Sequence, residues 1–266
     1  MAAILPPLPG TTGRREWRTA FDALRKLLAN GDDTAQVFRI MRALNVGVAA
    51  RNYARLLETE QGGRIAYQRV ELAKRFADQG FVAQFAPGTV GAAYRRFLEK
   101  TGYSADGLEE VSRSPERNID MQHPVVWMGR RTRDLHDIWH VLTGYKADET
   151  MGEACLVGFS YAQDGGLGWA WIALGAALKS MRVTGNRLFA RAVWEGYRHG
   201  RRAAWLAGED YEALLAEPLD VARRRLRIAT PAAYLTAQRT LGPQLSSYAS
   251  AVKAAAAEPA PERLAA

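Results

Sequence analysis

The sequence has one cysteine, Cys155, and four histidines among its 266 residues. A single cysteine excludes an internal disulfide and a cysteine-rich zinc ribbon, and it is typical of proteins kept in a reducing compartment. No apolar run reaches the roughly 20 residues that a transmembrane helix requires. Residues 1–13 lack a basic n-region and are interrupted by prolines, so they do not resemble a secretory signal. We therefore expect an intracellular protein without a membrane span.

Apolar residues recur with a helical period along most of the chain. Trp17, Phe21, Leu24 and Leu28 share one helical face, which ends at Asn30-Gly31. We find no run of alternating strand residues and no internal repeat. The pattern predicts an all-α fold, a single-domain helical bundle over residues 14–242. The Pro/Gly-rich residues 1–13 are expected to be disordered, and the Ala/Pro-rich residues 243–266 to form a flexible tail.

Several glycines and prolines predict interruptions of the helices. Gly62-Gly63 is expected to separate two of them, and residues 101–129 are expected to be irregular, with Pro124 as one of the breakers. Helical periodicity then resumes at Thr132 and lasts to about Leu241.

The formal charge of +8 suits either nucleic acid or an anionic membrane surface. Arginines gather in residues 182–202 and 223–227, the first group beside Trp194 and Tyr197, and no nucleic-acid-binding motif is present. From Ala154 to Leu178 the only charged residue is Asp164. This distribution favours a membrane surface as partner and argues against nucleic acid.

Two of the four histidines, His136 and His140, lie one helical turn apart, so both imidazoles project from one face. Asp137 stands about 100° around the helix from His136. The helix is expected to stop near Thr143-Gly144. Two imidazoles and a carboxylate can bind a divalent first-row metal, as a zinc site or a two-His-one-carboxylate iron site.

A second helix beginning near Met151 would return beside the first as an antiparallel neighbour and bring Glu153 to the histidine pair. Glu149 competes for this role but falls in the predicted loop. Cys155 is expected to point away, as a small core residue. The alternative is that the histidine pair has no metal-binding role and lies by coincidence on the surface or in the core. A zincin protease and an HD-type phosphohydrolase both require further residues that the sequence does not place suitably.

Together these residues make the sequence similar to the coenzyme Q (ubiquinone) biosynthesis protein four family, in a bacterial-type form. The family hallmark is His-Asp-x-x-His followed by Glu after roughly eleven residues; here 12 residues, 141–152, intervene. The stretch from Pro87 to Leu98 resembles the family's P-G-T-(apolar)-G-x-x-Y-x-x-F-L motif. Residues 200–203 resemble its G-R-R-A motif, and Leu226-Arg227-Ile228 resembles its closing L-G-I, with arginine where glycine is usual.

The resemblance implies a divalent metal held by His136, Asp137, His140 and Glu153, which would also be the catalytic residues. Zinc is the expected metal, with iron, manganese or cobalt as alternatives. The implied activity is oxidative decarboxylation at C1 of a polyprenyl-4-hydroxybenzoate-type precursor, in which hydroxyl replaces the carboxylate. The alternative is a non-catalytic, lipid-binding scaffold that organises the quinone biosynthetic complex.

The implied partners are the polyprenylated precursor, other ubiquinone biosynthesis proteins and the inner face of the cell membrane, where a cytoplasmic protein would be peripherally bound. A homo-oligomer is left open. Arg130, Arg131 and Arg133 are candidates for binding the anionic substrate head, or else form a solvated face. Arg201 and Arg202 are weaker candidates. Gly165–Leu178 is too short to span a bilayer, and its small residues leave room for a neighbouring helix or an isoprenoid chain.

Overall fold

The computed structural model describes residues 13–31, 33–102 and 123–257, with side chains up to residue 245. Regular secondary structure in this part of the chain is helical, which confirms the all-α prediction. The helices are, in chain order, α1 (Trp17–Ala29), α2 (Thr34–Leu44), α3 (Val48–Leu56), α4 (Glu60–Gln68), α5 (Leu72–Ala77), α6 (Gln79–Ala83), α7 (Val90–Thr101), α8 (Pro124–Asp134), α9 (His136–Thr143), α10 (Thr150–Asp164), α11 (Leu167–Thr184), α12 (Leu188–Arg202), α13 (Tyr211–Ala216), α14 (Leu219–Arg225) and α15 (Ala232–Ala257). Of the segment 1–13 that is predicted to be disordered, residues 1–12 lie outside the described residues.

The predicted break at Gly62-Gly63 is wrong, because both glycines lie inside α4. A Cβ at Gly62 would lie 1.8 Å from the carbonyl oxygen of Leu56, so the close packing of α3 and α4 requires glycine there. The helix ends instead at Arg69, which adopts a left-handed conformation with φ of 45°.

Pro124 begins a helix rather than breaking one. It occupies the first turn of α8, where the missing N–H costs nothing, and the Nδ1 atom of His123 accepts a hydrogen bond from the Val125 amide at 3.2 Å. The expected irregular structure is therefore wrong for residues 124–129, and residues 103–122 of that segment lie outside the described part of the chain.

The last helix, α15, continues to Ala257, so the domain boundary expected at residue 242 falls inside it. Alanine has the highest intrinsic helix propensity, which accounts for helix in the Ala-rich residues after Pro243. The remainder of the expected tail, residues 258–266, lies outside the described part of the chain.

Glycines allow α10 and α12 to pack closely. A Cβ at Gly196 would lie 2.4 Å from the carbonyl oxygen of Cys155, and one at Gly200 would lie 2.5 Å from that of Phe159. The two helices touch backbone to backbone, which fixes α10, the helix that carries Glu153, in the core.

The small residues of α11 make room for neighbouring helices at two positions. Gly168 lies against Asn45, the residue that follows α2, and the Asn45 Oδ1 accepts a hydrogen bond from the Gly168 amide at 2.8 Å. Gly175 lies against Leu24 of α1. Of the two predicted reasons for these small residues, the neighbouring helix is confirmed at Gly168 and Gly175.

The short helix α9 is fixed by its C-terminal cap and by hydrogen bonds to two other segments. Gly144 ends it in a left-handed conformation, as the sequence predicts. Arg223 donates hydrogen bonds to the carbonyl oxygens of Leu142 and Val141, at 2.8 and 3.0 Å. The indole of the buried Trp139 donates to the Tyr211 hydroxyl at 2.8 Å. These contacts hold the histidine-bearing helix at a defined position in the core.

Candidate metal centre

His136, His140 and Glu153 meet where α9 and α10 adjoin. The ligand atoms of the three residues lie within 4.8 Å of one another. Glu153 Oε2 lies 3.4 Å from His136 Nε2, and Glu153 Oε1 lies 3.2 Å from His140 Nε2. In a tetrahedral site with metal–ligand bonds of about 2.0–2.1 Å, neighbouring ligand atoms lie roughly 3.4 Å apart. The two distances from Glu153 to the imidazoles thus match the spacing of neighbouring ligands in a metal site.

The protonation of His140 follows from its hydrogen bond to the backbone. Nδ1 lies 2.9 Å from the carbonyl oxygen of Tyr145, and a carbonyl can only accept, so Nδ1 carries the proton. In the neutral ring, Nε2 therefore presents a lone pair. This buried atom has no hydrogen-bond partner in the described part of the chain, although a Glu153 oxygen is 3.2 Å away. Two electron-pair donors face each other, an arrangement that a cation between them would stabilise.

The charges of the cluster alter its pKa values in the directions expected for paired groups. Burial alone would raise the pKa of Glu153, but the imidazoles of His140 and His136 outweigh it and hold that pKa below its usual range. Burial alone would lower the pKa of His136, but the hydrogen bond and charge of Glu153 outweigh it and raise that pKa. The side chains of His136, His140 and Glu153 are 19%, 0% and 38% exposed, so the cluster opens to solvent on one side only.

Asp137, the fourth predicted ligand, lies outside the group of three. Its carboxylate is buried, with 8% exposure, and it makes no hydrogen bond to the residues that the structure describes. Burial raises its pKa, and the charges of both histidines oppose this effect. The structure therefore places Asp137 near the cluster but outside the group of three.

Two aromatic rings border the cluster, and the sequence analysis did not single out either. Phe97 of α7 stacks on His140 with 5.9 Å between ring centroids, and Trp169 of α11 is parallel to His136 within 5° at 6.3 Å. Phe97 lies in the P-G-T motif segment and Trp169 in the uncharged stretch, but neither pattern specifies a contact with histidine. The Tyr145 carbonyl was also missed, because a backbone acceptor has no sequence signal.

The competing carboxylate, Glu149, turns away from the histidines. It accepts hydrogen bonds from the Tyr234 hydroxyl and the Gln238 amide of α15. Cys155 is fully buried, which confirms the prediction that it is a core residue. Glu153 is the carboxylate that the second helix supplies.

The sequence matches the family model described as coenzyme Q (ubiquinone) biosynthesis protein Coq4 over residues 23–232. The chain belongs to this family. The resemblance that the motifs indicate is thereby confirmed, and the shared features cover most of the helical domain.

Relatives of this Coq4-family chain include mitochondrial ubiquinone biosynthesis protein COQ4 homologues. The one from Danio rerio is 28% identical over 187 residues, 69% of this chain and 65% of the relative. The one from Homo sapiens is 28% identical over 177 residues, 64% of this chain and 62% of the relative. The chain thus matches slightly less than two thirds of the length of these relatives.

The fold is shared with a solved structure. A crystal structure of a Nostoc punctiforme PCC 73102 protein, described as a candidate ubiquinone biosynthesis protein, superposes with a TM-score of 0.57 at 18% identity. The superposition covers 81% of this chain and 100% of that one. At this identity the likeness concerns the fold alone.

Two of the arginines predicted to bind substrate in this Coq4-family protein pair with carboxylates. Arg130 Nη2 lies 2.6 Å from Glu71 Oε1, and Arg133 Nη2 lies 2.6 Å from Asp134 Oδ1. Both arginine side chains are 12% exposed. Arg130 and Arg133 therefore do not form a solvated face. Their contact with substrate stays a prediction.

Arg131 is buried, with 4% exposure. It donates hydrogen bonds to the carbonyl oxygens of Ala207 and Glu209, at 3.0 and 2.6 Å. Its guanidinium also lies 5.8 Å from the centre of the Trp127 ring. These contacts tie α8 to the turn at residues 206–209, which is a structural role for this arginine.

Arg201 and Arg202 are exposed at the end of α12. The adjacent Gly200 packs against Phe159, which lies about 9 Å along α10 from Glu153 at 1.5 Å per residue. The structure therefore does not bring these two arginines to the cluster, and their role in substrate binding stays a prediction.

Proposed function

We propose that this Coq4-family protein is a metal-dependent enzyme of ubiquinone biosynthesis. Its reaction would replace the C1 carboxylate of a polyprenyl-4-hydroxybenzoate-type precursor by hydroxyl. The C1–carboxylate bond breaks with loss of CO₂, and one oxygen atom of O₂ is added at C1. The second oxygen atom leaves as water, with two electrons from an external reductant. Membership of the family supports the pathway, and the cluster supports the chemistry.

One observation carries the metal proposal: the buried His140 Nε2, which has no hydrogen-bond partner in the described residues, lies 3.2 Å from a Glu153 carboxylate oxygen. His136 would supply the third ligand and Asp137, through a side-chain rotation, a fourth. Two imidazoles and one carboxylate form a ligand set known for zinc, and also for non-haem iron. A bound metal would polarise the substrate carboxylate or phenolate as a Lewis acid.

The residues around the cluster would orient the substrate. The Tyr145 carbonyl holds His140 in one tautomer and one ring orientation. The partial exposure of Glu153 and His136 leaves one open side for an aromatic carboxylate to approach. Phe97 and Trp169 stack on the two imidazoles and would shield them from water on that side.

The polyprenyl chain of the precursor is expected to bring the protein to a membrane surface, on the cytoplasmic face, beside other enzymes of the pathway. Among the described residues, no helix combines the length and apolarity needed to cross a bilayer. Peripheral attachment would therefore require a surface patch, which is considered below.

The deciding experiment begins with elemental analysis of the purified protein. The protein is then incubated with prenylated 4-hydroxybenzoate in detergent, ¹⁸O₂ and a reductant, and the product is analysed by mass spectrometry. The proposal requires that wild-type protein releases CO₂ and adds one labelled oxygen to the product. The Glu153→Ala variant should show neither change.

The scaffold alternative makes the opposite prediction. No conversion would occur with zinc, iron, manganese or cobalt, yet a strain lacking the protein would lose its quinone. In that case the Glu153→Ala variant would restore quinone as well as the wild type does, and the enzymatic proposal would be abandoned.

A further inference from the structure

One exposed face of α12 carries arginines at regular helical spacing. Residue 187, the N-cap, and residues 191, 194, 198 and 201 of the helix follow one another at intervals of four, three, four and three, so they form a single stripe. All five are exposed: Arg187, Arg191, Trp194, Arg198 and Arg201. At 1.5 Å per residue, this stripe, here called the α12 stripe, is about 21 Å long.

The arginines of the α12 stripe lack the acidic partners that some other arginines of the fold have. Arg75, Arg130 and Arg225 pair with carboxylates elsewhere in the fold. By contrast, none of the four stripe arginines forms an ion pair with any side chain in residues 13–102 and 123–245 that the structure describes. Four positive charges are thus presented together.

The one acidic residue of α12, Glu195, does not neutralise the stripe. Its carboxylate accepts hydrogen bonds from the backbone amides of Ala233 and Tyr234, at 2.9 and 3.2 Å, at the start of α15. Glu195 therefore caps α15 instead of pairing with an arginine of the stripe. The charge of the stripe remains uncompensated within the described residues.

Trp194 is in the middle of the stripe and is 60% exposed. Its ring is supported from below, because it lies 5.1 Å from the ring of Tyr197, which stacks on Tyr161 at 5.7 Å. An exposed indole on a rigid base costs little conformational entropy to bury against a partner. Tryptophan is enriched at the level of lipid headgroups, where one end of the ring is apolar and the other wet.

We propose that the α12 stripe docks the protein onto an anionic phospholipid surface, with its arginines on lipid phosphates and Trp194 in the headgroup layer. Arginine binds phosphate through two parallel hydrogen bonds, and a basic residue near such a surface contributes about 1 kcal/mol. The adjoining helix α11 supports a lipid partner, since Leu174 and Leu178 are 51% and 53% exposed on it. Exposed leucines favour a bilayer over nucleic acid. This inference deepens the membrane part of the proposed function and does not depend on the metal.

The test is sedimentation of the full chain with vesicles of phosphatidylcholine containing phosphatidylglycerol, and with vesicles of phosphatidylcholine alone. Wild-type protein should bind the anionic vesicles only, and added salt should weaken the binding. The triple variant Arg187→Gln, Arg191→Gln, Arg198→Gln should bind on the order of 100-fold more weakly, from three arginines at the energy given above. Trp194→Ala should also weaken binding.

A matched control distinguishes the contribution of the α12 stripe to binding from that of net charge. The triple variant Arg25→Gln, Arg39→Gln, Arg64→Gln removes three other exposed arginines and should bind anionic vesicles as the wild type does. Equal losses of vesicle binding in the two triple variants would refute the proposal that the α12 stripe binds lipid. The same conclusion would follow if the wild-type protein did not bind the vesicles, or bound single-stranded DNA more tightly. Metal content and conversion in detergent are measured separately, so failure of the stripe is distinguishable from failure of the enzymatic proposal.

Discussion

The Nδ1 atom of His140 donates a hydrogen bond to the carbonyl oxygen of Tyr145 over 2.9 Å. The contact is made just after α9 ends, and it leaves Nε2 as the ring's electron-pair donor. Such a bond from the distal nitrogen is the usual way in which proteins orient a histidine ligand. The backbone after the helix is therefore as much a part of the candidate centre as the side chains.

Removing Glu153 tests the cluster directly. We expect Glu153→Ala to lose stoichiometric metal, because it removes the oxygens that face both imidazoles at 3.2 and 3.4 Å. Its helical content, followed by circular dichroism, should not change, since this side chain is partly exposed. The control is Glu149→Gln, which alters the neighbouring carboxylate that faces α15 and should leave metal content intact in elemental analysis. A metal-replete Glu153→Ala protein would refute the assignment.

Asp137 provides a graded test of the fourth ligand. It lies outside the group of three, and its buried carboxylate makes no hydrogen bond to the described residues. We expect Asp137→Asn to weaken metal binding by roughly 10- to 100-fold without abolishing it, the range for groups that support a site. Competition with a chromogenic chelator measures the affinity. Asp220→Asn, at an exposed position, is the control; equal affinities in the two variants would show that Asp137 plays no part.

Gly196 tests the packing that holds α10. A Cβ there would lie 2.4 Å from the Cys155 carbonyl oxygen, so Gly196→Ala must push α10 and α12 apart. We expect the free energy of unfolding to fall by about 1–3 kcal/mol, measured by urea denaturation. Gly63→Ala is the matched control, because its Cβ meets nothing within 4 Å inside α4, and alanine should be neutral or stabilise the helix. A stable Gly196→Ala protein would contradict the close packing.

Asp164 should make stability depend on pH. Burial raises its pKa to about 7, against the smaller opposing effects of Trp169 and Arg55. The unfolded chain releases this proton near pH 3.9, so between about pH 4 and 7 the folded state binds more protons than the unfolded state. This group therefore favours folding at low pH, and its contribution falls as pH rises, by at most about 1.4 kcal/mol per pH unit.

The variant Asp164→Asn should remove that dependence. Its melting temperature should exceed that of the wild type at pH 8 and approach it at pH 5, because the amide carries no charge to bury. Scanning calorimetry at the two pH values measures the difference. A wild-type protein that gains stability between pH 5 and 8 relative to the variant would show that the carboxylate is well solvated.

The placement of the histidine pair follows from sequence alone, because the spacing of residues on a helix fixes which side chains share a face. His136 and His140 are neighbours in any helix, and Gly144 ends that helix through its own backbone preference. The choice of Glu153 over Glu149 was also predictable, since a helix start separates them. The all-α class follows from the same periodicity.

Tertiary structure decided the rest, because contacts between distant segments depend on how whole helices pack. Nothing local shows that Arg131 is enclosed by residues 206–209, or that Gly62 lies against Leu56 rather than breaking a helix. Likewise, the sequence shows arginines from residue 187 to 201, but only the packing of α12 shows that they share an exposed face without acidic partners. Sequence therefore determined the local chemistry of this protein, and packing determined which groups meet and which remain open to a partner.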